Sequence, residues 1–323
     1  MRSRKFIVIA VFIYLLTCIG INTESSAYER EEGEILPYNL PLPIQPFGLP
    51  IVISDSLFKP LRNQIDEEFQ EQLQDIVSAN KKWNRLISAQ QLSIGVVDLS
   101  SPLNPRFARI NGNHMMYAAS LPKIAVLLAM EDALENGEIE ENDSIRRDMR
   151  LMMSKSNNQS TTRLIDLIGF NKIANVLQDP KYNLYDEERG GGIWVGKRYA
   201  KTGQRIPDPL EGISHGATAT QVCRFYYMLA YGKLVNFERS KEMLWYMSDP
   251  ELHHKFVNTL DRIAPKAKLF RKSGSWKEYH SDSVLVWGPQ WRRYIVVALV
   301  HDAEGENILR ELIAEIDNMM MPK

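Results

Sequence analysis

The sequence predicts an α+β fold, a mixed α/β sandwich in which one antiparallel sheet, built from both ends of the chain, packs against a helical lobe. Three observations predict it. Short runs rich in β-branched and aromatic residues occur at 92–99 and 107–110, and again at 267–276, 281–287 and 294–300. Between them, apolar residues recur at helical spacing. A closing helix over 307–320 completes the pattern. Strands at both ends with helices between favour a single sheet over two sequential domains, and such distant pairings assemble slowly. The chain's 323 residues suffice for one sizeable core.

Composition narrows the function. Hydrophobic residues make up 44% and charged residues 24%, which excludes a disordered or fibrous chain. Lys and Arg total 39 against 40 Asp and Glu, a net charge of -1, so nothing electrostatic argues for a nucleic-acid partner. Cys18 and Cys223 are the two cysteines, too few for a disulfide scaffold. The histidines are scattered without ligand spacing, and neither a metal nor a cofactor is implied.

In chain order, residues 1–27 read as an export signal. Arg2, Arg4 and Lys5 precede the unbroken apolar run 6–16, and Ser25-Ser26-Ala27 offers small residues to a signal peptidase. Cleavage near Ala27 and a periplasmic location are expected. The apolar segment 6–21 is short for a membrane span. The alternative is a lipid anchor at Cys18, within Leu15-Leu16-Thr17-Cys18, which would associate the N-terminus with the envelope. Residues 28–55 then form an arm or tether, since Pro37, Pro41, Pro43, Pro46 and Pro50 forbid a long helix or a central strand. The folded domain is expected over 56–323, as a monomer.

Leu61, Ile65, Phe69, Leu73, Ile76 and Val77 predict one amphipathic helix. The strongly apolar helix 121–134 is stopped by Asn136-Gly137. Helices follow at 145–153, 161–168 and 220–231, with Gly169 and Gly232 as stops. The last carries Val222, Phe225, Tyr226 and Leu229 on one face, with Cys223 beside them as a core thiol. Residues 177–216 are rich in Pro, Gly and charge and keep no period; so long a loop in a compact domain is disordered or functional. Residues 191–197 imitate a phosphate-loop spacing, but Arg198 stands where magnesium needs Ser or Thr. His253 and His254 are read as neighbours on a helix, unable to share a face and therefore a poor metal pair.

Three short strings carry chemistry. Ser120-Leu121-Pro122-Lys123 opens the apolar helix, where proline is welcome because its missing N–H would be unpaired anyway. Three residues apart, the Ser120 hydroxyl and the Lys123 ammonium project from the same face. Ile124, Leu127 and Leu128 make Lys123 a lone cation near an apolar core. Desolvation lowers a lysine pKa, and a neutral amine can take the proton of an attacking Ser120. Without a catalytic role the same residues are a cap and a snorkelling lysine. Ser156-Asn157-Asn158 lies between two helices, where Ser and Asn also serve as caps. In Lys272-Ser273-Gly274, strand alternation sets Lys272 opposite Arg271 and Ser273, and Gly274 admits a substrate close to the backbone.

Taken together and in this order, Ser120-x-x-Lys123, Ser156-x-Asn158 and Lys272-Ser273-Gly274 resemble the three signatures of the penicillin-recognising serine hydrolases, which include class A β-lactamases and D-alanyl-D-alanine peptidases. The resemblance extends over 65–319 and implies the β-lactamase/transpeptidase-like fold. It implies that Ser120 is the acylated nucleophile, Lys123 its base, and Ser156 the relay of a proton to the leaving nitrogen. Asn158 would hold the substrate amide, and Lys272, Ser273 and Gly274 the substrate carboxylate and backbone. The N–H groups of Ser120 and Ser275 would form the oxyanion hole. The partner so implied is a small molecule or peptide bearing a carboxylate.

Two departures from the family pattern matter. Ser156 lies only 36 positions after Ser120, a shorter spacing than in typical class A enzymes, so one wall of the cleft is expected to be trimmed. The family's Glu-x-x-Leu-Asn element, whose glutamate activates the deacylating water, is missing from 177–216. Asp186, Glu187 and Glu188 are the acids directly before the glycines, either a substitute base or a solvated turn. Without a poised base an acyl-enzyme persists. The expected activity is therefore that of a serine acyl-enzyme hydrolase acting on a cell-wall-type amide. The alternatives are a β-lactamase with a rebuilt loop, or a slowly deacylating sensor.

Overall fold

Five antiparallel strands tie the beginning of the fold to its end. The computed structural model describes residues 48–322. Its strands are β1 (Leu92–Asp98), β2 (Arg106–Ile110), β3 (Met116–Tyr117), β4 (Tyr185–Asp186), β5 (Gly191–Gly192), β6 (Trp194–Val195), β7 (His215–Ala217), β8 (Lys268–Trp276), β9 (Tyr279–Trp287) and β10 (Arg293–His301). The main sheet has the order β2-β1-β10-β9-β8, so the two early strands join the three late ones through Leu92↔Val300. Strand β8 is an edge. Its register against β9 sets Lys272 across from Ser283 and Gly274 across from Ser281.

The helices are α1 (Glu67–Ala79), α2 (Lys81–Ser88), α3 (Lys123–Glu135), α4 (Asp143–Ser154), α5 (Asn158–Gln178), α6 (Ala219–Ala230), α7 (Phe237–Met247), α8 (Phe256–Ile263) and α9 (Gly305–Met319). They cover both faces of the sheet. Along β10, Ile295, Val297 and Leu299 enter the core shared with α3–α7, while Tyr294, Val296, Ala298 and Val300 enter the core shared with α1, α2, α8 and α9. Period-2 alternation thus divides one strand between two cores. Helix α3 lies inside the helical lobe and is apolar nearly all round, so Lys123 and Glu131 are charges carried into a hydrophobic interior.

Three expectations need correction. The helix read from Leu61 to Val77 is broken: Leu61–Asn63 is a single 3-10 turn, and Ile65 bridges to Phe107. Asp66, whose carboxylate accepts the Phe69 N–H at 2.8 Å, is the N-cap that delays α1 to Glu67. The arm also ends earlier than residue 55. Leu49 and Ile51 are buried in the lobe core, and the Ile51 N–H reaches the Ala230 carbonyl at 2.6 Å. Finally, His253 and His254 precede α8 in irregular backbone rather than lying on a helix.

Gly169 interrupts α5 with φ 78° and ψ 158°, the break its sequence position predicts. The proposed signal, its cleavage site, Cys18 and most of the arm lie outside the described residues. Among the described residues no helix is long and apolar enough to cross a membrane.

Candidate active site

The turn before α3 meets the edge strand β8. Ala119, immediately before Ser120, has φ 50°, a left-handed conformation that costs a non-glycine residue of order 1–3 kcal/mol and concentrates at functional sites. The turn is held by the Ala118 N–H donated to His215 O at 2.8 Å and by the Ser281 hydroxyl donated to Ala118 O at 2.8 Å. A β-carbon on Gly274 would overlap Ala118 O and lie 2.5 Å from Ser120 N. Only glycine lets this strand approach Ser120 so closely. The Ser120 N is thereby brought against β8 at Gly274, the residue before Ser275.

Lys123 is the first residue of α3 and is fully buried. Its ammonium donates to Ser156 O at 2.6 Å, to Asn158 Oδ1 at 2.7 Å and to Ser156 Oγ at 3.3 Å. Its ammonium makes no hydrogen bond to the Ser120 hydroxyl. Burial pulls its pKa down to about 7, so the neutral amine is abundant near neutrality. A neutral Lys123 keeps two donors, enough for Ser156 O and Asn158 Oδ1, and frees a lone pair for a proton.

Ser156 sits between α4 and α5 with φ 56°, in a loop closed by Asn157, whose side chain caps α5 by accepting the Ser160 N–H at 2.8 Å. Lys272 is also fully buried and donates to Ser156 Oγ at 2.8 Å and to Ser273 O at 2.9 Å. Desolvation first, then the charge of Lys123, drives its pKa well below the ordinary lysine value. Two lysine nitrogens therefore flank one hydroxyl. With both lone pairs of Ser156 Oγ taken, its own proton is left to point elsewhere. Ser273 faces the other side of β8, as alternation requires: its hydroxyl lies 3.4 Å from His254 Nε2.

The long loop contributes something the sequence reading missed. The Tyr199 ring lies over Lys123 Nζ, 4.5 Å from nitrogen to centroid. Its hydroxyl donates to Ala119 O at 3.2 Å, and its ring stacks on His215 at 4.2 Å. His215 is buried, and desolvation holds its pKa down near 4, so it is neutral there. An aromatic wall thus seals Lys123 from the loop side.

The candidate acids are not brought to it. Asp186 accepts from Asn183 Nδ2 and the Glu188 N–H, each at 3.1 Å, and pairs with Arg189 at 3.2 Å. Glu187 and Glu188 are exposed on the turn that follows. Asp208 is buried for a structural reason: it accepts the Tyr185 hydroxyl and the N–H groups of Leu210, Glu211 and Ile213, knotting the loop. The solvated-turn reading of 186–188 is the one that fits these contacts.

His254 was also missed, because the sequence places it only as a helical neighbour of His253 and a poor metal ligand; burial keeps its pKa down to about 3. Among the described residues no group of three or more His, Cys, Asp or Glu is placed to hold a metal.

The model of the beta-lactamase enzyme family matches residues 144–320 of this chain. None of the curated proteins matches it. Among solved structures, a β-lactamase from Sphaerobacter thermophilus superposes with a TM-score of 0.59 at 17% identity, covering 77% of this chain and 94% of that one. PBP-A superposes with a TM-score of 0.57 at 17% identity, covering 78% and 95%. The extended-spectrum β-lactamase TLA-3 gives 0.60 at 12% identity, covering 79% and 99%. At such identities these likenesses are of fold, and the fold is a mixed α/β one with an antiparallel sheet packed against helices.

Proposed function

The chain belongs to the beta-lactamase enzyme family, and on that premise we propose that it is a serine acyl-enzyme hydrolase that cleaves a cell-wall-type amide through Ser120. The observation that carries this reading is the pair of buried lysines closed on Ser156, with Lys123 held near pKa 7 beside the strained Ser120 turn.

In the proposed first half-reaction, Ser120 Oγ bonds to the amide carbonyl carbon and its proton passes to neutral Lys123. The negative charge on the carbonyl oxygen is met by the N–H groups of Ser120 and Ser275. Collapse breaks the C–N bond, Ser156 gives its proton to the leaving nitrogen, and Lys123 returns one to Ser156 across their 3.3 Å contact. Asn158 orients Lys123 and the substrate amide, and Lys272, with Ser273 and His254 behind it, attracts the substrate carboxylate. Water then attacks the ester and releases the acid. Tyr199 occupies the side of Lys123 facing the loop, and no carboxylate among the described residues contacts Lys123. The acyl-enzyme is therefore long-lived with β-lactams.

Incubation with penicillin G followed by intact-mass and peptide analysis tests this reading. An adduct on the Ser120 peptide, with D-alanine released from a peptide ending in D-Ala-D-Ala, is expected. Rapid penicillin hydrolysis without D-alanine release would favour a β-lactamase that uses Lys123 in both steps. No adduct with penicillins, cephalosporins or boronates would reject the reading.

A further inference from the structure

Behind the edge strand lies a third buried lysine, one that the reaction scheme does not use. Lys255 is fully buried, immediately before α8. Its backbone is at φ 54° and ψ -124°, a region that glycine tolerates and other residues enter at a cost. Glycine there would remove the strain, and a leucine or methionine would avoid burying a charge. The side chain's contacts show what a lysine adds.

Its ammonium donates to Gly274 O and, at 3.1 Å, to Ser281 O. The neighbouring carboxylate, Asp282, is clamped by Arg271 at 2.7 and 2.8 Å and also accepts the Phe256 N–H. Lys255 is thus directed at peptide carbonyls. Gly274 O belongs to the peptide unit whose N–H is that of Ser275. In a planar trans peptide the C=O and N–H point in opposite directions, so a carbonyl turned back toward Lys255 turns the Ser275 N–H toward the Ser120 side.

We infer that Lys255 is a positioning residue that orients and polarises the Gly274–Ser275 peptide, making the Ser275 N–H a stronger oxyanion donor for acylation at Ser120. Donation to a peptide carbonyl strengthens that peptide's N–H as a donor, and a cation does so more than a neutral group. The same ammonium holds Ser281 O, and the Ser281 hydroxyl holds Ala118 O beside the nucleophile, so both oxyanion donors are fixed through one short network. The inference rests on the acyl-enzyme reading.

The test uses the folded protein with Lys255→Met, Lys255→Gln and Lys255→Arg, and two readouts. The first needs no substrate: the amide proton shift of Ser275 by NMR. It is expected to move upfield in K255M, less in K255Q, and to return toward wild type in K255R. The second is the penicillin acylation rate. It is expected to fall about 10-fold in K255M with little change in binding, less than the 100-fold or more for losing a donor outright. The ester carbonyl band of the acyl-enzyme should rise in frequency in parallel. Should K255M not fold, K255Q and K255R carry the same comparison, since both keep a donor and only one keeps the charge. An unchanged Ser275 shift, or equal acylation rates in K255Q and K255R, overturns the inference. Failure of the wild-type protein to form any adduct rejects the acyl-enzyme reading instead.

Discussion

The two walls of the cleft are built differently. On the β8 side, Lys123, Ser156 and Lys272 are linked by hydrogen bonds of 2.6–3.3 Å beside the Ser120 turn, and the strained residues Ala119 and Ser156 stand within the same few turns. On the loop side, Tyr199 and His215 stack into a neutral aromatic surface, and the acids are committed elsewhere. One wall holds titratable groups; the other holds neutral rings. On the proposed function, the difference means that the two half-reactions of an acyl-enzyme cycle are furnished separately.

Ser120→Ala is the largest break, and no covalent adduct should form by intact mass. Lys123→Met should slow acylation about 1000-fold, within the range for losing a general base, with the fold intact by circular dichroism. In the wild-type protein acylation should accelerate as pH rises through about 7, because the neutral amine is the reactive form and its fraction grows above that pKa. Gly274→Ala should cost about 100-fold in acylation, since the new methyl must displace the Ala118–Ser120 backbone.

Changes on the loop wall should sort differently. Tyr199→Ala should admit water beside Lys123, raise its pKa by relieving desolvation, and speed deacylation about 10-fold while acylation at pH 7 slows. Tyr199→Phe keeps the ring and loses only the bond to Ala119 O, so about 1 kcal/mol of stability in a denaturant titration is the expected cost. Smallest of all, Glu187→Gln and Glu188→Gln should leave both half-reactions within about twofold, as expected for exposed surface substitutions.

The lysine wall was legible because its signals are local. A serine and a lysine three apart at a helix start, a polar turn between helices, and Lys-Ser-Gly on a strand each carry their geometry in their spacing. The single sheet was legible because alternation and breakers marked its strands at both ends. The aromatic wall was not. Tyr199 reaches Lys123 through a loop without period, and nothing in Arg198-Tyr199-Ala200 indicates a ring bound for a buried amine. The acids 186–188 drew attention by charge alone, whereas Asn183, Arg189 and the turn's own N–H groups decide what Asp186 does. His254 and Lys255 were hidden by an incorrect helix boundary; Asp282 accepting the Phe256 N–H starts α8 one residue beyond them.

Whether the second half-reaction is unfurnished can be measured directly with a chromogenic cephalosporin in a stopped-flow instrument, with intact mass followed in parallel. A product burst of about one equivalent is expected, followed by slow release and an adduct on Ser120 that persists for minutes. Linear turnover at about 10 per second, a rate typical of competent enzymes, with no accumulated adduct, would contradict it and require a deacylating base that Tyr199 does not block.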